Sequence, residues 1–140
     1  MNEPGSSDID VARGVYTAMM HGGPSELMAR YDELFTEDFE WHPALLGAFR
    51  KGTYRGREEF AEYWAELNEG FEDPVLGEAE FEALGAGRVL AVGELSVKGT
   101  GSGLPLDQAV AYVFEVRDGR VGYGRTFFSR REAEEFLARA

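Results

Sequence analysis

The chain lacks cysteine altogether, which excludes a disulfide framework and thiolate chemistry. It contains only two histidines, His21 and His42, and neither lies in a cluster of potential ligands, so we expect no metal site. Basic residues are also scarce: 14 lysines and arginines stand against 26 aspartates and glutamates, giving a formal net charge of -12. Because nucleic acids and anionic membranes attract positive surfaces, we expect neither as a partner.

Long apolar runs are missing as well. No stretch approaches the ~20 apolar residues of a membrane-spanning helix. The N-terminal sequence MNEPGSSDID has neither the basic start nor the apolar segment of a secretory signal. The GTGSG segment at 99–103 is not followed by Lys and Ser/Thr, so it is not a phosphate-binding loop. These features predict a cytoplasmic protein that works without a cofactor.

A length of 140 residues and a hydrophobic fraction of 44% suit one globular domain with a substantial core. Residues 1–7 are polar and rich in Gly and Ser, so we expect a disordered tail followed by a single domain over 8–140. Apolar residues at helical spacing predict helices over 8–21, 25–35, 57–70 and 129–140, the last opened by a capping-box pattern. Alternation predicts a short strand at 38–42 and four strands from residue 75 onward.

The longest regular feature is a predicted hairpin over 104–128, LPLDQAVAYVFEVRDGRVGYGRTFF, whose Asp118-Gly119 pair supplies the positive-φ positions of a tight turn. Alternation assigns to the inner, buried face Gln108, Val110, Tyr112, Phe114 and Val116, then Gly122, Gly124, Thr126 and Phe128. The two glycines either widen a cavity or admit a helix closely. Arg125 is predicted to point outward; facing inward, it would offer a contact to an anion.

Four segments carry a family resemblance: DFEWHP, GTYRGREEFAEYW, LDQAVAYVFEVRDGRV and FFSRREA. Together with the two opening helices they resemble the SnoaL-like family of the nuclear-transport-factor-two-like superfamily, which also includes steroid delta-isomerases and polyketide cyclases. The resemblance implies an α+β fold in which a strongly curved antiparallel sheet wraps around the N-terminal helices. This cone-shaped, cystatin-like roll would leave one deep pocket. Because the fold hosts many activities, it does not by itself determine function.

The resemblance suggests three catalytic candidates. Tyr16 lies where the isomerases hold a tyrosine that donates to an oxyanion; the alternative is a core tyrosine with a local partner. His42 precedes Pro43, where the isomerases place a general-base aspartate, so its imidazole is a candidate acid or base. Burial of Trp41 by alternation would instead send His42 outward unless the strand bends at the proline. Tyr112 lies where the isomerases carry a protonated aspartate, and it either donates a hydrogen bond or only packs.

The candidate ligand-binding residues are mostly apolar: Trp41, Phe60, Trp64, Gln108, Phe114, Thr126 and Phe128. Gln108 either orients a ligand or satisfies backbone groups. No inward carboxylate is expected on the strands, unlike in the epoxide hydrolases and most cyclases that share this fold. Such a lining suits a small hydrophobic or aromatic molecule held by a few polar anchors.

Two readings of function remain open. One is cofactor-independent acid–base catalysis of the isomerase, cyclase or hydrolase type, with His42 as acid or base and Tyr16 and Tyr112 as donors. The other is a non-catalytic binding or interaction module of the same fold, which the missing aspartate favours. A homodimer is expected in either case, because the outer sheet face is too apolar to remain solvated. Alternation assigns to that face Ala109, Ala111, Val113, Val121, Tyr123 and Phe127.

Overall fold

A computed structural model describes residues 6–21, 23–43, 52–99 and 105–139. Within these ranges, the side chains of 67–76, 97–99 and 105–108 lie outside the described set, as do those of residues 6, 23 and 24. The expected tail at 1–7 falls outside it too, except that Ser6 and Ser7 begin the first helix.

The helices of the described chain are α1 (Ser6–His21), α2 (Gly23–Ala29), α3 (Tyr31–Leu34), α4 (Gly56–Gly70) and α5 (Arg130–Arg139). The strands are β1 (Phe35–His42), β2 (Tyr54–Arg55), β3 (Phe71–Leu76), β4 (Glu80–Gly85), β5 (Arg88–Gly99), β6 (Pro105–Arg117) and β7 (Arg120–Phe127). The predicted helices at both ends and in the middle agree with these bounds to within two residues at each end. Ser129 caps α5, since its Oγ accepts the backbone N–H of Glu132 at 3.1 Å.

Two predicted boundaries are wrong. The second predicted helix is interrupted at Arg30, and Phe35 has extended backbone (φ -124°, ψ 153°) that starts β1. Phe39 and Trp41 alternate with polar residues, and this period of two, together with the buried Phe35, overrides the helical spacing upstream. The single strand expected before Gly85 is two strands, β3 and β4, separated by residues 77–79.

The seven strands form one sheet in the order β2-β1-β7-β6-β5-β3, with β4 also paired to β5. All pairs are antiparallel except β1 with β7, which run parallel. The long strand β5 pairs with β4 through its first half and with β3 through its second half, on one and the same edge. This curved, unclosed sheet around the N-terminal helices confirms the predicted fold class.

The inner face of the sheet carries the main core, in which α1 and α4 pack against the strands. Val110, Tyr112 and Phe114 of β6 belong to this core, as the alternation predicted. Val121 was predicted on the outer face, but it is fully buried in the same inner core. The reason is a register shift between Glu115 and Val116, which places one extra residue, Gly122, in β7.

The outer face is covered in part by α5. A second apolar cluster joins the sheet to this helix and comprises Leu90, Ala111, Val113, Phe127 and Ala133, with Val92, Phe136 and Leu137 at its margin. Ala111, Val113 and Phe127 therefore pack against a helix of the same chain, whereas Ala109 and Tyr123 are not part of this cluster. The sequence pattern revealed the apolar face but not that the last helix folds back over it.

Candidate functional site

An aromatic cluster occupies the interior between the sheet and α1 and α4. Tyr16 contacts Tyr112 with ring centroids 5.7 Å apart, and Tyr112 lies 6.2 Å from Trp41. Trp41 in turn contacts Phe60 at 5.6 Å, and Phe60 contacts Trp64 at 5.8 Å. Six predicted site residues are thus brought together, since Phe114 also stacks on Tyr112 at 5.7 Å.

Tyr16 uses its hydroxyl to hold α1 against the sheet. The hydroxyl donates to the carbonyl oxygen of Gly77 at 2.5 Å, and the Gly77 N–H donates to the Glu94 carbonyl at 2.8 Å. Gly77 is therefore fixed at the point where the chain passes from β3 to β4. Burial raises the pKa of Tyr16, so this hydroxyl stays protonated. Its proton is committed to the backbone, which makes Tyr16 a positioning residue.

Tyr112 differs from Tyr16 because its hydroxyl has no hydrogen bond to any other described residue. The side chain is 5% exposed, and burial raises its pKa well above the ordinary value. Buried hydroxyl groups are normally paired, since an unmet hydrogen bond costs about 1–3 kcal/mol. Tyr112 therefore offers a neutral donor to the interior.

Two indole N–H groups are in the same situation. The Nε1 atoms of Trp41 and Trp64 are buried without a hydrogen-bond partner among the described residues. Burial raises the pKa of Tyr63, and the nearby N–H group of Trp41 partly opposes this effect. The Trp41 N–H and the Tyr63 hydroxyl nevertheless do not meet the geometry of a hydrogen bond. Since an indole N–H can only donate, these groups require an acceptor that the described protein does not supply.

Sequence reasoning missed one carboxylate near this cluster. Glu66 of α4 is half-buried and accepts a 2.5 Å hydrogen bond from the hydroxyl of Tyr54, which is fully buried. Tyr54 pairs with Trp41 across β1 and β2, and its ring lies 5.6 Å from Tyr63. The signal was available in the helical spacing, because Glu66 follows Tyr63 by three residues on the same side of α4.

Three other ligand candidates lie less centrally. Thr126 pairs with Tyr112 on the inner face, and its Oγ1 donates weakly to the His42 carbonyl at 3.5 Å. Phe128 follows the end of β7 and is half-buried. The backbone of Gln108 pairs with Leu95, but its side chain lies outside the described residues.

The structure places the His42 ring on the outer face of the sheet. Its Nε2 lies 3.3 Å from the Glu40 carboxylate and its Nδ1 lies 3.2 Å from the Thr53 hydroxyl. The ring packs on Tyr123 at 5.0 Å, whereas Trp41, the preceding residue, points inward. Burial lowers the pKa of His42, although Glu40 opposes this effect. His42 is thus separated by the sheet from Tyr16 and Tyr112.

Within the described ranges, no three His, Cys, Asp or Glu side chains are grouped as metal ligands. None of the described helices is both long and apolar enough to cross a membrane.

A family profile described as the SnoaL-like domain matches residues 12–122. The chain belongs to the SnoaL-like family. No curated protein sequence matches it. Among solved structures, an NTF2-like protein of unknown function from Burkholderia pseudomallei is 18% identical and superimposes with a TM-score of 0.73, over 93% of this chain and 96% of that one.

Two further structures similar to this SnoaL-like chain contain small molecules. TerC, co-crystallised with polyporic acid, is 19% identical with a TM-score of 0.74, over 95% of this chain and 99% of its own. A protein with a ketosteroid isomerase-like fold from Catenulispora acidiphila, in complex with trimethylamine, is 16% identical with a TM-score of 0.70, over 86% of both chains. At these identities the likeness concerns the fold.

Proposed function

We propose that this SnoaL-like protein binds a small, flat, hydrophobic or aromatic molecule within its aromatic cluster. The observation that supports it is the pair of buried indole N–H groups, of Trp41 and Trp64, that have no hydrogen-bond partner among the described residues, together with the hydroxyl of the buried Tyr112. A ligand with carbonyl or phenolic oxygens would supply the missing acceptors, while its ring system would contact Phe60 and Phe114. The fold neighbour bound to polyporic acid is consistent with such a ligand.

The remaining predicted residues take supporting roles in this proposal. Tyr16 positions α1, and its ring lines the proposed ligand site. Thr126 contributes a hydroxyl beside Tyr112, and Gln108 and Phe128 are further proposed contacts of the ligand. His42 is not included, because its ring lies across the sheet.

Thermal unfolding with paired ligands tests the proposal. Aryl ketones, quinones and keto-steroids should raise the melting temperature more than hydrocarbons of the same shape, since a ligand at 100 times its dissociation constant adds about 2.7 kcal/mol. Tyr112→Phe should weaken the oxygen-bearing ligands about 3- to 10-fold and leave the hydrocarbons unchanged. Tyr123→Phe, on the outer face, is the matched control. Equal binding of both ligand classes, or an unaffected Tyr112→Phe variant, would contradict the proposed role of the donors.

A second candidate function, cofactor-independent acid–base catalysis, is favoured by the Tyr54–Glu66 pair. A carboxylate that accepts a hydrogen bond from a buried tyrosine can exchange a proton with a ligand beside it. Turnover of a bound ketone, measured as exchange of its α-protons for deuterium, should be lost in Glu66→Gln and kept in Glu58→Gln. If the wild-type protein exchanges these protons no faster than the uncatalysed reaction, the catalytic proposal is contradicted and the binding proposal stands without it.

We also propose a homodimer through the part of the outer face that α5 leaves uncovered. That part is smaller than the sequence pattern indicated, because Ala111, Val113 and Phe127 pack under the helix. Light scattering over a range of protein concentrations tests it, and a monomer at every concentration would contradict it.

A further inference from the structure

A cavity of about 200 Å³ lies on the side of the sheet opposite to the aromatic cluster. It lies at the ends of β1 and β7, beside the first turn of α5. Its lining consists of His42, Pro43, Gly52, Arg125, Thr126, Phe127 and Glu132. This volume equals that of six or seven waters in the liquid, roughly, so it suits only a small molecule.

Arg125 is the positively charged residue in the lining of this cavity. Its guanidinium carbon lies 4.6 Å from the ring centroid of Phe136 and 5.5 Å from that of Phe127, so the group packs against both rings. No described carboxylate lies within ion-pair distance of it, whereas Arg117 and Arg130 both have such partners. In a chain with 26 acidic residues, this half-buried arginine keeps its N–H groups available.

His42 forms a wall of the cavity and has no free ring nitrogen to offer. Both nitrogens already have partners, Glu40 and Thr53, as described above. The remaining charged group is Glu132, on the first turn of α5. A carboxylate at this position repels a ligand with a second negative charge and can accept a hydrogen bond from a ligand hydroxyl or amine.

We propose that this cavity is a second binding site, for a small hydroxy- or amino-carboxylate. Arg125 binds the carboxylate through two parallel N–H···O bonds, a geometry for which the guanidinium is suited. Glu132 accepts the hydrogen bond of the neighbouring hydroxyl or amine and excludes dianions. The site is distinct from that of the proposed interior ligand, because Arg125 and Glu132 lie on the other side of the sheet from Tyr112, and Thr126 is the residue that borders both.

Calorimetric titration with sodium lactate at constant ionic strength tests the proposal. Wild-type protein should bind lactate saturably, and Arg125→Gln should weaken binding about 10-fold or more. Arg120→Gln is the matched control, since it removes the same charge from the other end of β7 without touching the cavity. Arg125→Lys keeps the positive charge but loses the paired N–H groups of the guanidinium, so its affinity for lactate should lie between those of the wild type and Arg125→Gln. This second variant keeps the test valid if Arg125→Gln does not fold.

Two further probes define specificity. Sulfate should bind poorly to the wild type and better to Glu132→Gln, because that change removes the repulsion. The absence of saturable lactate binding, or equal binding by Arg125→Gln and Arg120→Gln, would overturn the proposal. It would also be overturned if Arg125→Gln weakened self-association while lactate bound neither form, since a carboxylate of a second copy would then be the counter-ion.

Discussion

The indole of Trp41 occupies the space that a side chain at Gly124 would need. These residues are directly paired on the parallel strands β1 and β7, and a Cβ at Gly124 would lie 2.8 Å from Cε3 of Trp41. The sequence predicted either a wider cavity or a closely packed helix at this glycine, whereas the structure shows that the side chain of Trp41, on the neighbouring strand, fills the space. The missing side chain lets the largest ring of β1 lie against the backbone of β7.

Gly124→Ala should therefore destabilise the protein by about 1–3 kcal/mol, the usual range for overpacking a core. The ring cannot retreat easily because Phe60 and Tyr63 contact it from the other side. Gly14→Ala in α1 is the matched control. A Cβ there meets nothing within 4 Å, so the change should stabilise the helix by about 0.5–1 kcal/mol. Urea unfolding of both variants measures the change in the free energy of unfolding, which should be opposite in sign for the two. An unchanged stability of Gly124→Ala would contradict this packing.

The hydrogen bond from Tyr16 to Gly77 predicts a stability effect without a binding effect. Tyr16→Phe should lower the free energy of unfolding by about 0.5–1.5 kcal/mol, since it leaves the Gly77 carbonyl without this donor. Affinity for an interior ligand should stay within twofold, roughly, because the hydroxyl is already engaged. Denaturant titration with and without ligand separates the two quantities; a large loss of affinity with intact stability would show instead that the hydroxyl serves the ligand.

The turn between β4 and β5 contains an alanine in the left-handed region. Ala86 has φ 56° and is exposed, between Gly85 and Gly87. Because asparagine tolerates this conformation better than alanine, Ala86→Asn should stabilise the protein by about 0.5–1 kcal/mol. Ala138→Asn, on the exposed side of α5, should destabilise it by up to about 0.7 kcal/mol. Thermal unfolding measures the melting temperature of both variants, which should rise for Ala86→Asn and fall for Ala138→Asn. Melting temperatures that change in the same direction would contradict the turn geometry.

The lowered pKa of His42 makes stability depend on pH. The unfolded chain binds the imidazole proton more tightly than the folded protein does, so stability decreases as the pH falls through the window below the ordinary value of 6.5. His42→Gln should flatten the curve of unfolding free energy between about pH 7.5 and pH 5.5. His21→Gln controls for loss of an imidazole elsewhere. The lowered pKa of Glu40 adds a loss at more acidic pH, outside this window.

The hairpin shows how far the sequence could be read. Its turn was predictable because Asp118 and Gly119 adopt the required positive φ angles of 52° and 77°. The inner face of β6 was predictable from alternation alone. Val121 was not, because the extra residue at Gly122 shifts the phase of β7 and nothing in its local pattern marks the shift.

The candidate site was predicted through its apolar part. Trp41, Phe60 and Trp64 follow strand or helix periodicity, and periodicity indicates burial. The polar contacts depend instead on tertiary neighbours. The outward direction of His42 follows from Trp41 pointing inward, and the Tyr54–Glu66 contact joins a two-residue strand to a helix. Local spacing indicates the direction of these side chains, through strand alternation for His42 and through the three-residue step from Tyr63 for Glu66, but it does not identify their partners.

The parallel pairing of β1 with β7 also determines when this protein can become folded during its synthesis. His42 and Thr126 are 84 residues apart, yet their strands are immediate neighbours. Until β7 has left the ribosome, the aromatic inner side of β1, with Phe35, Phe39 and Trp41, lacks the strand it packs beside. Contacts of such long range slow folding and leave apolar surface exposed in the interval. The nascent chain is therefore most prone to aggregation just before its last strand emerges, and dependence on chaperones should be concentrated there.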